Sequence, residues 1–168
     1  MIKINFAEKL DQAEDITEIF SIVKDVVRKI TGRERSGLML GLAELGGQPG
    51  FFVGAFYPVG SNMIIMNKTP MRAVGALKPN LFKSYCFHIL LHEYLHTLGI
   101  LNERENRIAT VVIAERAFGP YHPVALISKD FNRVFPEVML STMNWRPVQE
   151  SPIEIVEGFD KDSTSYIG

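Results

Sequence analysis

The clearest pattern in the chain is a one-sided apolar stripe over residues 16–30. Asp15 followed by Glu18 forms a capping box at its start, and Gly32 is suited to end a helix in a left-handed conformation. The pattern therefore predicts a helix that covers one face of a sheet. Its apolar positions recur at the three- and four-residue steps of an amphipathic helix: Ile16, Ile19, Phe20, Val23, Val26, Val27 and Ile30.

Short apolar runs bounded by glycine and proline predict the strands of that sheet. Four segments fit: residues 1–8, 37–45, 51–57 and 62–67. In the first segment, Ile2, Ile4 and Phe6 share one face. The last two segments are separated by a turn containing Pro58 and Gly60, and they predict a hairpin. Residues 68–79 are predicted to be a loop.

Residues 81–98 are apolar on all sides, which predicts a helix buried in the core. Gly99 is well placed as its left-handed C-cap. Asn102 with Glu105 predicts the start of a second helix over residues 103–118.

A last helix is predicted from Ser151, as N-cap, and Pro152, in the first turn. Together the elements predict a single α+β domain spanning residues 1–168. In it, the N-terminal helix and the buried helix pack on a small mixed twisted sheet, and the C-terminal part is mostly helical.

Composition narrows the classes of function. The chain has 168 residues with 18 basic and 19 acidic side chains, so it lacks the basic surface typical of a nucleic-acid partner. Cys86 is the single cysteine, so no internal disulfide can form. No apolar run is long enough to span a membrane, and the N-terminus lacks an apolar signal core. We therefore expect a cytoplasmic protein without a membrane partner.

The stretch HEYLH, residues 92–96, carries the candidate chemistry. Residues four apart face the same way on a helix, so His92 and His96 can present two imidazole nitrogens to one zinc ion. Glu93 lies about 100° round the helix, where it can act as general base toward a metal-activated water. The pattern also occurs by chance, but burying two histidines and a glutamate without partners would be costly.

The motif His92-Glu93-x-x-His96-x-x-Gly99 resembles that of the zincin metallopeptidases, and more narrowly of their metzincin branch. Ser141-Thr142-Met143-Asn144-Trp145 is similar to the methionine turn that lies under the metal in that branch. The resemblance implies a zincin-like fold, a Zn²⁺ cofactor and hydrolysis of a peptide or protein substrate. It also implies that the substrate lies extended along the free edge of the strand at residues 62–67.

The third metal ligand departs from the family pattern. Asn102 stands where a metzincin has histidine or aspartate, and an amide oxygen is a poor zinc ligand and a good helix cap. Glu115, on an apolar stripe of the second helix, and His122, in a rigid loop, are the leading candidates. Glu103 is a weaker one, and we expect at most one of these to bind. His88 is about 6 Å further along the helix axis, too far to complete the site easily.

Two other functions remain open. The bacterial rRNA-maturation endoribonucleases have a helix reading HxxxHxxGxxH, to which His92, His96 and Gly99 are similar, although Asn102 replaces the last histidine. A zincin-fold binding protein without turnover is the other alternative, and the atypical Asn102 supports it.

Overall fold

The computed structural model describes residues 4–160. It is an α+β structure, in agreement with the predicted class. Its helices are α1 (Phe6–Gln12), α2 (Ile16–Thr31), α3 (Lys68–Leu77), α4 (Phe82–Thr97), α5 (Glu103–Phe118), α6 (Pro123–Lys129), α7 (Phe131–Val134) and α8 (Pro136–Ser141). Its strands are β1 (Met39–Ala43), β2 (Ala55–Phe56), β3 (Met63–Asn67) and β4 (Glu154–Val156), and short 3-10 turns occupy Pro79–Leu81 and Thr142–Asn144.

The four strands form one mixed sheet in the order β2-β3-β1-β4. β1 and β3 are parallel, whereas β2 pairs antiparallel with β3 and β4 pairs antiparallel with β1. The predicted hairpin between 51–57 and 62–67 is confirmed by the β2–β3 pairing. However, β3 is internal, so the expectation that residues 62–67 offer a free edge to a substrate is wrong. β2 is the edge strand on that side.

Helix α4 is the centre of the core and packs against α2, α5 and α6. It is apolar on all sides because almost every side chain meets another element, as the sequence predicted. Its fully buried apolar side chains are Tyr85, Cys86, Phe87, Leu90, Leu91, Tyr94 and Leu95. The helix that carries the candidate chemistry is therefore held rigidly from several directions.

Helices α2 and α5 begin and end where the sequence predicts. The carboxylate of Asp15 accepts a hydrogen bond from the Glu18 amide, and Gly32 ends α2 at a φ of 75°. Asn102 caps α5 by accepting from the Glu105 amide, and Gly119 ends it. These boundaries depend on residues adjacent to the helix in sequence, which is why local reasoning found them.

Two predictions in the N-terminal half are wrong. Phe6 lies in α1 rather than in a strand, because the side chain of Asn5 accepts from the Glu8 amide and starts a helix. Ile2 of that predicted strand lies outside the described residues. The predicted loop at 68–79 is mostly α3, which Asn67 caps by accepting from the Thr69 amide.

The predicted last helix is also wrong. The residues after Ser151 and Pro152 form β4, which pairs with β1 and places Val156 opposite Leu40. Ser151 instead accepts a hydrogen bond from the Glu44 amide. Within residues 4–160, no helix has both the length and the apolar character needed to cross a bilayer.

Candidate metal and catalytic site

Three side chains converge at the junction of α4 and α5. His92 and His96, on the last turns of α4, bring their Nε2 atoms to 3.2 Å from each other. Glu103, the first residue of α5, places Oε1 2.8 Å from Nε2 of His96 and Oε2 3.2 Å from Nε2 of His92. Among the described residues, this is the one cluster of three histidine, cysteine or acidic groups close enough to share an ion.

Backbone contacts fix the orientation of the His96 ring. Its Nδ1 lies 2.7 Å from the carbonyl oxygen of Ile100. A carbonyl oxygen can only accept, so Nδ1 carries the hydrogen and Nε2 of neutral imidazole offers its lone pair to the cluster. Lone pairs of two imidazoles and a carboxylate would repel one another at these distances. A shared cation relieves that repulsion, and a ring held from behind in this way is typical of metal-binding histidines.

The separations fit a small tetrahedral ion. Ligand atoms about 2.05 Å from zinc at tetrahedral angles lie about 3.3 Å apart. The three separations in the cluster are 3.2, 3.2 and 2.8 Å. Two imidazoles and one carboxylate also form one of the usual ligand sets of catalytic zinc, which leaves a fourth position open. The residues therefore fit a divalent ion.

Asn106 holds the two helices in this arrangement. It is fully buried, and its side-chain amide donates to the carbonyl oxygens of His92 at 3.0 Å and Ile100 at 3.3 Å. Its own Oδ1 accepts from the Thr110 hydroxyl. Because Asn106 lies one turn after Glu103 on α5, these bonds set the position of that carboxylate relative to the histidines.

Glu93 is buried beside the cluster with one oxygen unpartnered. Only 5% of its surface is exposed, and Oε2 has no hydrogen-bond partner among the described residues. Burial, reinforced by the charge of Glu103, raises the pKa of Glu93 to about 8. An unpaired buried carboxyl group is costly, and because Glu93 also borders the three convergent groups it is a candidate functional residue.

Burial favours the neutral form of two of the histidines on α4, His88 and His92. Burial lowers the pKa of His92, although the adjacent Glu103 carboxylate opposes this shift. Burial and the nearby His92 lower the pKa of His88 to about 3. Nδ1 of His88 lies 3.0 Å from the Ser128 hydroxyl, which itself donates to the Val124 carbonyl. His88 is therefore a supporting residue in the wall of the site, as its position in the sequence suggested.

These groups line a cleft of about 730 Å³. One wall is the segment 50–55 that leads into β2, and the floor is α4 with His88, Ile89, His92 and Glu93. The other walls come from the start of α5 and from the stretch 127–132. A cleft of this size is typical of sites that bind small molecules or peptide segments.

Asn67 and Gly54 place the first wall. The buried side-chain amide of Asn67 donates to the Val53 carbonyl at 2.9 Å. The backbone amide of Asn67 donates to the Gly54 carbonyl. A Cβ on Gly54 would lie only 2.7 Å from Cδ1 of Ile89, so glycine lets this segment approach α4 closely.

The structure does not bring either leading candidate for the third ligand to the cluster. Glu115 forms an ion pair with Lys129 at 3.0 Å. His122 stacks on Phe118 and accepts the Val124 amide through Nδ1 as the N-cap of α6. The weaker candidate, Glu103, occupies the position instead.

The proposed methionine turn does not lie under the cluster. Met143 is in the 3-10 turn Thr142–Asn144, its side chain is 61% exposed, and it is not part of the cleft lining. Met139, one turn earlier on α8, lines the cleft instead. Other residues of Ser141–Trp145 contact the cleft wall: Thr142 accepts from the Gly50 amide, and Trp145 packs against Phe52.

Sequence reasoning undervalued Glu103 and missed Asn106. The signal for Glu103 was its distance along the chain: it follows His96 by seven residues and comes just after the turn at Gly99 and the Asn102 cap. A short turn returns the chain to the end of α4, so the first residue of α5 faces the histidines.

Comparisons of the chain with known protein families, with curated proteins and with solved structures found no match.

Proposed function

We propose that the protein is a zinc-dependent metallopeptidase of the zincin type, with His92, His96 and Glu103 as metal ligands and Glu93 as general base and acid. One observation carries the proposal. The carboxyl group of Glu93 is buried, has no partner for Oε2 among residues 4–160, and lines a cleft beside three convergent ligand groups. This combination has a direct use in hydrolysis and no evident use in packing.

A zinc ion in the cluster would supply Lewis acidity, making water acidic near neutral pH and polarising the substrate carbonyl. Glu93 then takes the proton from the attacking water. Its burial in a water-poor environment, which raises its pKa, favours uptake of that proton. It returns the proton to the leaving amine nitrogen, which completes the hydrolysis.

The substrate is proposed to lie along residues 50–55. This segment lines the cleft and leads into the edge strand β2, so an extended peptide can add backbone hydrogen bonds there. Phe51 and Val53 are 56% and 42% exposed, and both belong to the cleft lining. These apolar side chains give the substrate a surface to pack on.

The test combines metal analysis with peptide hydrolysis. The purified protein should hold about one zinc per chain and cleave quenched fluorescent peptides, and a chelator should stop the reaction. Glu93→Gln should keep the zinc and lose about a thousandfold in kcat/KM. Glu105→Gln, an exposed acid in the first turn of α5 outside the cleft, is the matched control and should behave like the wild type.

The ligand set is tested separately. Glu103→Ala should lose zinc, whereas Glu115→Ala and His122→Ala should retain it. Full activity of Glu93→Gln, or zinc binding that survives Glu103→Ala, would overturn the proposal. Zinc without hydrolysis would favour the binding-protein alternative, and salt-dependent RNA binding would favour the endoribonuclease.

A further inference from the structure

Arg107 is a cation of the cleft lining that the proposed chemistry does not use. It lies one turn after Glu103 on α5 and borders the cleft together with His92 and Glu93. Its side chain is exposed, and it forms no ion pair or hydrogen bond with any residue in the described part of the chain. An arginine that faces a site without a partner is available to a ligand.

Apart from Glu93, the other ionisable acidic and basic groups of the lining are already engaged. Glu103 directs one oxygen to each histidine, so neither oxygen turns toward Arg107. Lys129 pairs with Glu115 at 3.0 Å and donates to the Pro120 carbonyl at 3.2 Å. Asp130 accepts the Arg133 amide as the cap of α7. Arg107 is thus the positive group left to recognise an anion.

The spacing along α5 suggests which part of a substrate it would meet. One helical turn separates Glu103 from Arg107 by about 6 Å. An extended peptide advances about 3.5 Å per residue, so a carbonyl placed at the cluster puts the next one or two residues within reach of the guanidinium. A carboxylate is the peptide group that a guanidinium binds best, through two parallel hydrogen bonds.

We propose that Arg107 binds a substrate carboxylate within one or two residues of the scissile bond. The preferred substrates are then peptides that end at that point or carry aspartate or glutamate there. The inference rests on the proposed peptidase function, because it takes the cluster as the position of the scissile carbonyl.

The experiment measures binding rather than turnover. Fluorescein-labelled mixed-sequence pentapeptides are titrated into zinc-loaded Glu93→Gln protein and followed by fluorescence anisotropy. One pair of peptide sets differs only in a C-terminal carboxylate or amide, and a second pair differs only in glutamate or glutamine beside an amidated C-terminus. At least one carboxylate set should bind about tenfold more tightly than its neutral counterpart, and the pair that shows it identifies the source of the carboxylate.

Arg107→Gln in the same background should remove this preference and leave the affinity for the neutral peptides unchanged. Arg104→Gln is the matched control, since Arg104 is exposed on the same helix but outside the cleft lining, and it should keep the preference. Equal binding of acid and neutral peptides, or a preference that survives Arg107→Gln, overturns the inference. Equal loss in the Arg104 variant overturns it as well, because nonspecific charge would then explain the binding.

Hydrolysis by the protein with intact Glu93 is assayed in parallel. Absence of cleavage together with an Arg107-dependent binding preference would reject the peptidase and retain the carboxylate site. Cleavage without that preference would do the reverse. Zinc content and thermal unfolding of each variant confirm that the ion and the fold are retained.

Discussion

Asp160 and Glu93 are both buried carboxyl groups, with 2% and 5% of their surface exposed, but their surroundings differ. Asp160 accepts from the Lys24 ammonium at 2.9 Å and from the Leu38 amide at 3.2 Å. It joins the end of the described chain to α2 and to the start of β1. Glu93 has an oxygen with no partner among residues 4–160 and borders the cleft.

The difference separates a structural carboxylate from a candidate catalytic one. A buried charge with an opposite charge and a backbone donor holds elements together, and losing its partner is costly. A buried carboxyl group left unpaired destabilises the fold. Such groups are typical of functional sites, where the destabilisation is offset by the role of the group. The comparison therefore makes opposite predictions for substitutions at the two sites.

The largest effect is expected for Lys24→Met. This change removes the ammonium beside Asp160 and leaves the carboxylate buried. The free energy of unfolding should fall by about 3–5 kcal/mol, measured by urea denaturation. Zinc affinity of the folded protein should be unchanged. A loss below about 1 kcal/mol would show that the ion pair contributes little to stability. Asp160 could then not be called a structural carboxylate in contrast to Glu93.

Next in size is the pH dependence contributed by Glu93, measured in metal-free protein. Its pKa is about 8 in the folded state against about 4.5 for a solvent-exposed glutamate. Between these values the folded state keeps a proton that the unfolded state has released, so stability falls as pH rises from about 4.5 and levels off above about 8. The contributions of the other titratable groups to the pH dependence of stability cancel when the wild type is compared with Glu93→Gln.

Relative to Glu93→Gln, the wild type should lose about 3 kcal/mol of stability between pH 5 and pH 7.5. The measurement is urea unfolding of both proteins in chelator across that range. A difference that stays constant with pH would mean that Glu93 is not held protonated by burial, and its role as a basic carboxylate would lose its physical support.

A smaller effect is expected at Asn106, a buried polar group that is fully engaged like Asp160 but serves the site. Asn106→Ala removes the two bonds to the His92 and Ile100 carbonyls. Zinc should bind about tenfold more weakly, measured by competition with a chromophoric chelator, because the α5 carboxylate is then less firmly positioned. Thr110→Val, which removes only the hydroxyl that donates to Asn106, should reduce affinity less. Unchanged affinity in Asn106→Ala would show that Asn106 does not position the ligands.

The smallest effect is expected at Tyr85, whose hydroxyl, like Glu93 Oε2, is buried and has no hydrogen-bond partner in the part of the chain that the structure describes. Tyr85 is 0% exposed and does not line the cleft, so its hydroxyl has no evident function. Tyr85→Phe should therefore stabilise the protein slightly, by about 0.5–1 kcal/mol in thermal unfolding, and leave hydrolysis unchanged. A drop in activity would place this hydroxyl among the functional groups.

The elements found from the sequence were those whose signals are local. Asp15, Gly32, Asn102 and Gly119 act on residues within one turn, so α2 and α5 were placed correctly. The errors arose where partners are distant in sequence. β4 is a strand because it pairs with β1, more than a hundred residues earlier, and no local pattern around Ser151 reports that pairing.

The same distinction between local and distant signals applies to the candidate site. His92, Glu93 and His96 follow from the helical period, which is a local property. The third group depends on how the turn at Gly99 redirects the chain, and Glu103 was ranked below Glu115 and His122 for that reason. The hydrogen bond that supports the cleft wall runs from the Asn67 side chain, at the end of β3, to the carbonyl of Val53, ahead of β2, and no local pattern in the sequence indicates it.

The candidate ligands and Asn106, which bonds to the His92 carbonyl, all lie between His92 and Asn106, in one helix end, one short turn and one helix start. Closing so short a loop costs little chain entropy, so the three candidate ligand groups can be brought together by the α4–α5 hairpin alone, without strand pairing.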